Sequence, residues 1–253
     1  FAQEWETTVQ NLKNWDDTDS TSSAVVSGGT INYYDNIKPF FIEIEETRSG
    51  LSFNAIDRVA RLTRQLEGMT QKAMEKELWD GGVREGESHE NIALSDAGAT
   101  VLNSGTALNV RRALALLEFE MGAASHAGEN GIIHMTRDAF SLLSTSGGDV
   151  FMFNEDKKRV ETTNGTPVVI GSGYSGTGPT GVTGATASAT NKWIYGTGTV
   201  KTYLGDVDVV NDNLSQAYDV NGNQNDMRIK AIRPAAVYFD TSIHLAVRVD
   251  LSA

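Results

Sequence analysis

The sequence predicts an α+β protein in which strands flank a long helix. An apolar, β-branched run at residues 39–46 precedes apolar residues that recur at helical spacing over residues 54–79, and further strand patterns close the chain from residue 226. Because strand elements lie on both sides of the helix in sequence, the two ends of the chain are expected to form one α+β domain. Residues of roughly 95 to 190 are expected to form a second, inserted lobe.

The composition is that of a folded, acidic protein. The 253 residues include 33 acidic and 21 basic side chains, which give a formal net charge of −12, together with 25 glycines, 4 prolines and no cysteine. This average charge repels nucleic acid and anionic membranes, so any contact with DNA is expected to be indirect. The lack of cysteine excludes disulfides, thiolate metal sites and a cysteine nucleophile.

The first residues carry neither a secretion signal nor an initiating methionine. The segment FAQEWETT has no basic region followed by an apolar one, and no run in the chain approaches 18 apolar residues. We therefore expect that Phe1 is not the first residue of the gene product. Residues 1–36 are polar and irregular and predict an extended arm or hairpin, in which Trp5 and Trp15 dock on the domain itself or on a neighbouring chain.

The long helix is predicted from Asn54 to Trp79 and is closed by Gly81 and Gly82. At 1.5 Å per residue its length is about 40 Å. The apolar positions that define its stripe are Ile56, Val59, Leu62, Leu66, Met69, Ala73 and Leu78.

A second helix is predicted from another apolar stripe, and we interpret this stripe as core packing. It contains Ala107, Val110, Leu114, Leu117 and Met121. The following segment GIIHMTRDAFSLL predicts a strand and a short helix, and two strands are expected at residues 149–153 and 167–170. The segment WIYGTGTVKTYLGDVDVV predicts two strands or one long bent strand, and DMRIKAIRPAAVYFDTSIHLAVRVDL predicts two more joined by a turn.

Three glycines raise the question of a nucleotide site. Gly171, Gly173 and Gly176 fit the dinucleotide-binding pattern G-x-G-x-x-G directly after the apolar run PVVI. That mechanism needs a helix that opens at once, but residues 177–184 combine glycine, proline and β-branched residues and predict none. No acidic residue follows at the spacing that a ribose would need. We therefore expect a surface loop and keep a nucleotide-binding enzyme as an alternative.

Other patterns of catalytic or metal-binding chemistry are incomplete. The run Asp219, Asn221 and Asn223 resembles the start of a calcium loop, but Gln224 stands where glycine is needed and Lys230 where a bidentate glutamate is needed. No two histidines have the spacing of a helical metal site. The four histidines are His89, His126, His134 and His244. The sequence thus predicts no catalytic residue, metal or cofactor, and elimination favours a structural protein that contacts other copies of itself.

The order of these segments resembles the major capsid proteins of tailed phages with the Hong Kong 97-like fold, and most closely those of phages that infect actinobacteria. The pieces that carry the resemblance are KAMEKELWDGG, GIIHMTR and the pair GTPVVIGSGYSG and WIYGTGTV. The resemblance covers most of the chain from about Lys38 onward.

The resemblance implies a domain layout. Residues 1–36 would form the E-loop or extended arm, residues 37–94 the peripheral domain with its spine helix, residues 95–190 the axial domain, and residues 191–253 the return to the peripheral sheet. The glycines after PVVI would then serve backbone turns of the axial domain. Some members of this family crosslink their subunits, and Lys13 would be a candidate donor, although no motif identifies its partner.

The resemblance also implies a function. Copies of the chain would assemble as hexamers and pentamers into an icosahedral shell around double-stranded DNA, with a portal and with scaffold or decoration proteins as further partners. The shell would assemble in the host cytoplasm and become the virion capsid. An encapsulin-like nanocompartment is the related alternative. A β-rich adhesin is disfavoured by the long charged helix.

Overall fold

The computed structural model describes residues 39–49, 55–81, 91–124, 131–146, 150–211 and 226–252. The chain divides into two compact units. Unit 1 comprises Phe1–Gly68 and Tyr203–Ala236, and unit 2 comprises Met69–Thr202 and Val237–Ala253. The domain layout expected from the sequence, with boundaries at residues 36, 94 and 190, stays a prediction.

The described residues form three α-helices, which are α1 Ala55–Asp80, α2 Val110–Ala124 and α3 Arg137–Ser146, and one 3-10 helix, Leu102–Gly105. The strands are β1 Phe40–Ser49, β2 Thr100–Val101, β3 Leu108–Asn109, β4 Ile132–Thr136, β5 Phe151–Asn154, β6 Arg159–Thr162, β7 Pro167–Gly171, β8 Asn191–Thr197, β9 Val200–Leu204, β10 Asp208–Asn211, β11 Asp226–Phe239 and β12 His244–Asp250.

The long helix α1 confirms the sequence prediction to within one residue at each end. It ends where Gly81 adopts a positive φ of 65° and donates its backbone N–H to the carbonyl of Glu77 at 2.9 Å, a termination that favours glycine. Its buried stripe runs in steps of four residues through Leu62, Leu66, Thr70, Met74 and Leu78.

Met69 does not belong to that stripe, contrary to the prediction. Its side chain is 52% exposed, whereas Thr70 is buried. Thr70 lies four residues after Leu66, where the i, i+4 row continues, and Met69 lies beside this row. The prediction chose Met69 because methionine is apolar, but the buried residue at this point of the helix is Thr70.

Unit 1 contains most of a four-stranded sheet with the order β1-β11-β10, in which β9 also pairs with β11. β1 pairs antiparallel with β11, with Phe40 opposite Ala235. Phe40 and Ile42 are buried while Phe41 and Glu43, which alternate with them, are exposed, as expected of a sheet with one buried face. On the exposed face Lys230 forms an ion pair with Glu43 at 2.6 Å.

Unit 2 contains an eight-stranded sheet with the order β2-β12-β8-β4-β7-β6-β5, and β3 also pairs with β12. β4 and β7 are parallel, whereas β12-β8, β8-β4, β7-β6 and β6-β5 are antiparallel. The segment at residues 193–210 forms parts of three strands, β8, β9 and β10, where the sequence predicted two strands or one. The short β6 was not predicted.

One face of the large sheet forms the main apolar core with α2 and α3. Ile133 and Met135 of β4, Ile194 of β8 and Val247 of β12 point to this face. From α2 the stripe residues Val110, Leu114, Leu117 and Met121 are buried against it, which confirms the core interpretation. Ala107 lies before the helix, since the side chain of Asn109 accepts the backbone N–H of Arg112 at 3.0 Å and so caps α2.

Candidate functional site

The opposite face of the large sheet is covered by the last turns of α1 and by the glycine-rich loop at residues 172–190. This loop contains no helix, as the sequence predicted. Trp79 of α1 packs edge-on against Tyr195 of β8, with ring centroids 4.9 Å apart, and lies 4.7 Å from the ring of Tyr174. Trp79 Nε1 and the Tyr195 hydroxyl both donate to the carbonyl of Thr177, at 3.1 and 2.9 Å. The loop is therefore fixed by contacts to both the helix and the sheet.

Two carboxylates of α1 accept hydrogen bonds from the loop groups that would otherwise donate to a bound phosphate. The backbone N–H of Gly173 donates to Glu75 Oε2 at 2.7 Å, and the Ser175 hydroxyl donates to Asp80 Oδ1 at 2.7 Å. Thr177 Oγ1 also donates to Asp80 Oδ1, at 3.2 Å. A bound pyrophosphate would have to displace two carboxylates and would meet their negative charge. This arrangement opposes the nucleotide-binding alternative.

The three motif glycines have a steric explanation. A Cβ at Gly173 would lie 2.4 Å from the carbonyl oxygen of Lys72, and a Cβ at Gly171 would lie 2.5 Å from the ring of Tyr174. Gly176 has a positive φ of 77°. Of these three, only Gly176 thus serves a backbone turn, as the resemblance implied, whereas Gly171 and Gly173 permit close packing.

His134 lies at the centre of a buried polar network on the same face. Its Nδ1 is 3.1 Å from the Tyr174 hydroxyl, and its Nε2 is 2.9 Å from Thr197 Oγ1. Because the Thr197 hydroxyl donates to the carbonyl of Gly198 at 3.0 Å, it accepts from Nε2–H, and Nδ1 accepts from Tyr174. Burial lowers the pKa of His134 to about 3, so the imidazole is neutral.

A second histidine ties the sheet to the segment after α1. His244 of β12 donates its Nε2–H to the carbonyl of Leu94 at 3.0 Å. Burial lowers its pKa, against the opposing effects of that hydrogen bond and of Asp96. Both His134 and His244 act as hydrogen-bonding core residues.

The β5-β6 hairpin carries a carboxylate that accepts three hydrogen bonds. Glu161 accepts hydrogen bonds from Asn154 at 2.8 Å, Arg159 at 2.7 Å and Lys157 at 3.2 Å. These contacts lower its pKa to about 2. The hairpin is thereby held together by charge on the face that does not pack against α2.

Several large apolar side chains are exposed on unit 2. The most exposed are Phe119 of α2 at 71%, Phe153 of β5 at 64% and Ile92 at 56%. Glu118, next to Phe119, binds Thr162 and Asn164 and so connects α2 to the β6-β7 turn. These exposed side chains are candidates for contact with another chain.

Many predicted positions lie outside the described residues. These are Trp5, Lys13 and Trp15, the histidines His89 and His126, and the calcium-like run at Asp219, Asn221 and Asn223. Among the residues that the structure describes, no group of three or more His, Asp or Glu side chains could hold a metal ion. Likewise, none of the described helices is long and apolar enough to cross a membrane.

The fold is similar to that of capsid and encapsulin structures. The capsid of an empty GTA particle aligns with a TM-score of 0.51 and 15% identity over 86% of this chain and 73% of that chain. The holo-SrpI encapsulin complex from Synechococcus elongatus PCC 7942 aligns with a TM-score of 0.52 and 11% identity over 86% of this chain and 75% of that chain. The capsid of a native GTA particle aligns with a TM-score of 0.50 and 14% identity over 86% of this chain and 74% of that chain.

No protein-family profile matches the sequence, and no curated protein matches it. The structural similarity nevertheless extends over most of the chain. This protein therefore has the α+β capsid fold of the Hong Kong 97 type that the order of its segments predicted.

Proposed function

We propose that this protein is the major subunit of a phage capsid and that its copies assemble into a closed shell around double-stranded DNA. The observation that carries the proposal is the similarity of fold, over 86% of this chain, to the capsid of an empty GTA particle. The subunits form hexamers and pentamers, and the assembled shell is the virion capsid, which assembles in the host cytoplasm. The role is structural, without catalysis and without a cofactor.

The surface of unit 2 supports assembly. A closed shell needs several different contacts on each subunit, and the central patches of such contacts are rich in aromatic side chains. The exposed Phe119 and Phe153 are of this kind, and the exposed Ile92 adds further apolar surface. Burial of apolar surface in such contacts stabilises them by about 25 cal/mol per Å².

The net charge of −12 supports enclosure of DNA without sequence-specific binding. An acidic shell does not condense DNA on its own surface, so the DNA enters by the action of other components while cations neutralise its phosphates. A portal and scaffold or decoration proteins are the partners that this role requires.

We also propose the layout that the resemblance implies. Residues 1–36 act as the extended arm, in which Trp5 and Trp15 contact a neighbouring subunit and Lys13 is the candidate for a crosslink. Residues 37–94 and 191–253 contribute to the peripheral domain, and residues 95–190 form the axial domain.

The experiment is to express and purify the full chain and to examine it by size-exclusion chromatography and electron microscopy over a range of salt and pH. Closed particles of uniform diameter are expected. A chain that stays monomeric under every condition would contradict the proposal.

An encapsulin-like compartment is the second candidate, favoured by the TM-score of 0.52 to the holo-SrpI encapsulin complex. The contents of native particles distinguish the two functions. Nuclease-protected double-stranded DNA supports the capsid, whereas a single co-purifying protein and no protected DNA supports the compartment.

A further inference from the structure

One side of unit 2 carries exposed aromatic side chains, with charged residues of both signs next to them in the sequence. Phe153 of β5 lies opposite Val160 of β6, which lies opposite the core residue Val168 of β7, so Phe153 is on the face of the sheet that α2 covers. The last two turns of α2 lie near β6, because Glu118 binds the side chain of Thr162. Phe119 and Phe153 are therefore on the same side of the sheet.

Two charged residues lie near these aromatic residues along the chain. Lys158 is exposed in the turn of the β5-β6 hairpin, and Glu120 follows Phe119 on α2. In the part of the chain that the structure describes, neither side chain forms an ion pair, whereas the neighbouring Lys157 and Arg159 both bind Glu161. Thr162, which Glu118 binds, lies four residues after Lys158, about 13 Å away at 3.3 Å per residue. On this basis we place Lys158 and Glu120 at different ends of the surface.

We propose that this α2-hairpin surface, formed by Phe119, Glu120, Phe153 and Lys158, binds a second copy of the same chain in a head-to-tail contact. In this contact the hairpin turn of one copy lies against α2 of its neighbour, and Lys158 pairs with Glu120 of that neighbour. The proposal rests on the proposed function and specifies one of the subunit contacts that a shell needs.

Charge complementarity and exposed area support this occupant. When identical copies repeat head to tail, the cation at one end of each copy pairs with the anion at the opposite end of its neighbour. Head-to-tail repetition of this kind can close into a ring. At 71% and 64% exposure, and with about 200 Å² for each side chain, the two phenylalanines present roughly 270 Å² of apolar area. This is about a third of the 800 Å² that each partner of a standard interface buries, and is suited to the centre of such a contact.

The test is a charge-reversal cycle in the full chain. Lys158→Glu and Glu120→Lys each place like charges together at every such contact, and we expect each to raise the protein concentration needed for assembly at least about tenfold. The double variant restores the pair in reversed order and is expected to assemble within about threefold of the wild type. Light scattering measures the threshold concentration, and electron microscopy identifies the particles.

The control is Lys76→Glu, which changes the net charge by the same amount at an exposed site on α1 and is expected to leave the threshold within about threefold. Thermal unfolding of each unassembled variant checks that it is folded, as expected for substitutions at these positions. Single reversals that assemble like the wild type, a double variant as impaired as the singles, or an equal loss in Lys76→Glu would each overturn the proposed contact. A wild-type chain that forms no particles would instead overturn the proposed function, and this contact with it.

Discussion

The substitution Gly173→Ala tests directly whether the glycine-rich loop is built for packing or for phosphate. A Cβ at this position would lie 2.4 Å from the carbonyl oxygen of Lys72 and 2.9 Å from Cβ of Glu75. Ordinary contact begins near 3.4 Å, so the loop and α1 must separate by about 1 Å. Because the obstructing atom belongs to helix backbone, a side-chain rotation cannot relieve the overlap.

The expected cost follows from that overlap. Forcing an extra methyl group into a packed site costs about 1–3 kcal/mol, and loss of backbone entropy in the unfolded chain offsets this by about 0.4–1 kcal/mol. We expect a net loss of about 2 kcal/mol, since the clash is with backbone. The free energy of unfolding of the unassembled chain, measured by chemical denaturation with circular dichroism, gives the value.

The matched control is Gly68→Ala in the middle of α1, where a Cβ meets no atom within 4 Å. This change is expected to stabilise the helix by about 0.5–1 kcal/mol. If Gly173→Ala were neutral or stabilising like the control, the steric account of the loop would be wrong, and a role in ligand binding would have to be reconsidered.

Three further predictions concern titration and assembly. Because the folded pKa of Glu161, about 2, lies below its unfolded value of 4.5, its contribution to stability is present above pH 4.5 and is lost as the pH falls towards 2. Glu161→Gln should therefore unfold with a weaker pH dependence in that window, and an unchanged dependence would contradict the assigned contacts. The neutral His134 has a folded pKa of about 3 against 6.5 in the unfolded chain, so it contributes stability above pH 6.5 that is lost as the pH falls towards 3. His134→Gln should cost about 1–3 kcal/mol at pH 7 and should flatten the curve of unfolding free energy between pH 6.5 and 4.5; a curve as steep as that of the wild type would refute this origin. Phe119→Ser should change the unfolding free energy by no more than about 0.5 kcal/mol while raising the assembly threshold, and a large loss of stability would show that Phe119 belongs to the core.

Local features of the chain predicted the helices and the loop well. The apolar residues of α1 recur every four residues, and the glycine that ends the helix follows it directly. Both signals are local in the sequence, so periodicity and capping chemistry were enough to locate the helix. The poor helix formers after Gly176 likewise predicted a loop. The overall fold followed from the resemblance in the order of segments, and not from periodicity.

Contacts between distant segments could not be predicted in this way. The strand pattern of β4 could not show that His134 would meet Tyr174 and Thr197, which lie 40 and 63 residues further along the chain. The tight approach of Gly173 to α1 depends on a helix almost 100 residues earlier, and β6 is too short and too charged to be recognised without its partners β5 and β7. Such features are determined by tertiary packing and not by local preference.

Electron cryomicroscopy of the purified full chain under assembly conditions is the decisive test of shell formation. We expect closed icosahedral particles whose repeating subunit contains α1, the four-stranded sheet and the eight-stranded sheet described above. A sample in which every molecule remains a monomer or a small open oligomer, at all concentrations and ionic strengths, would contradict it.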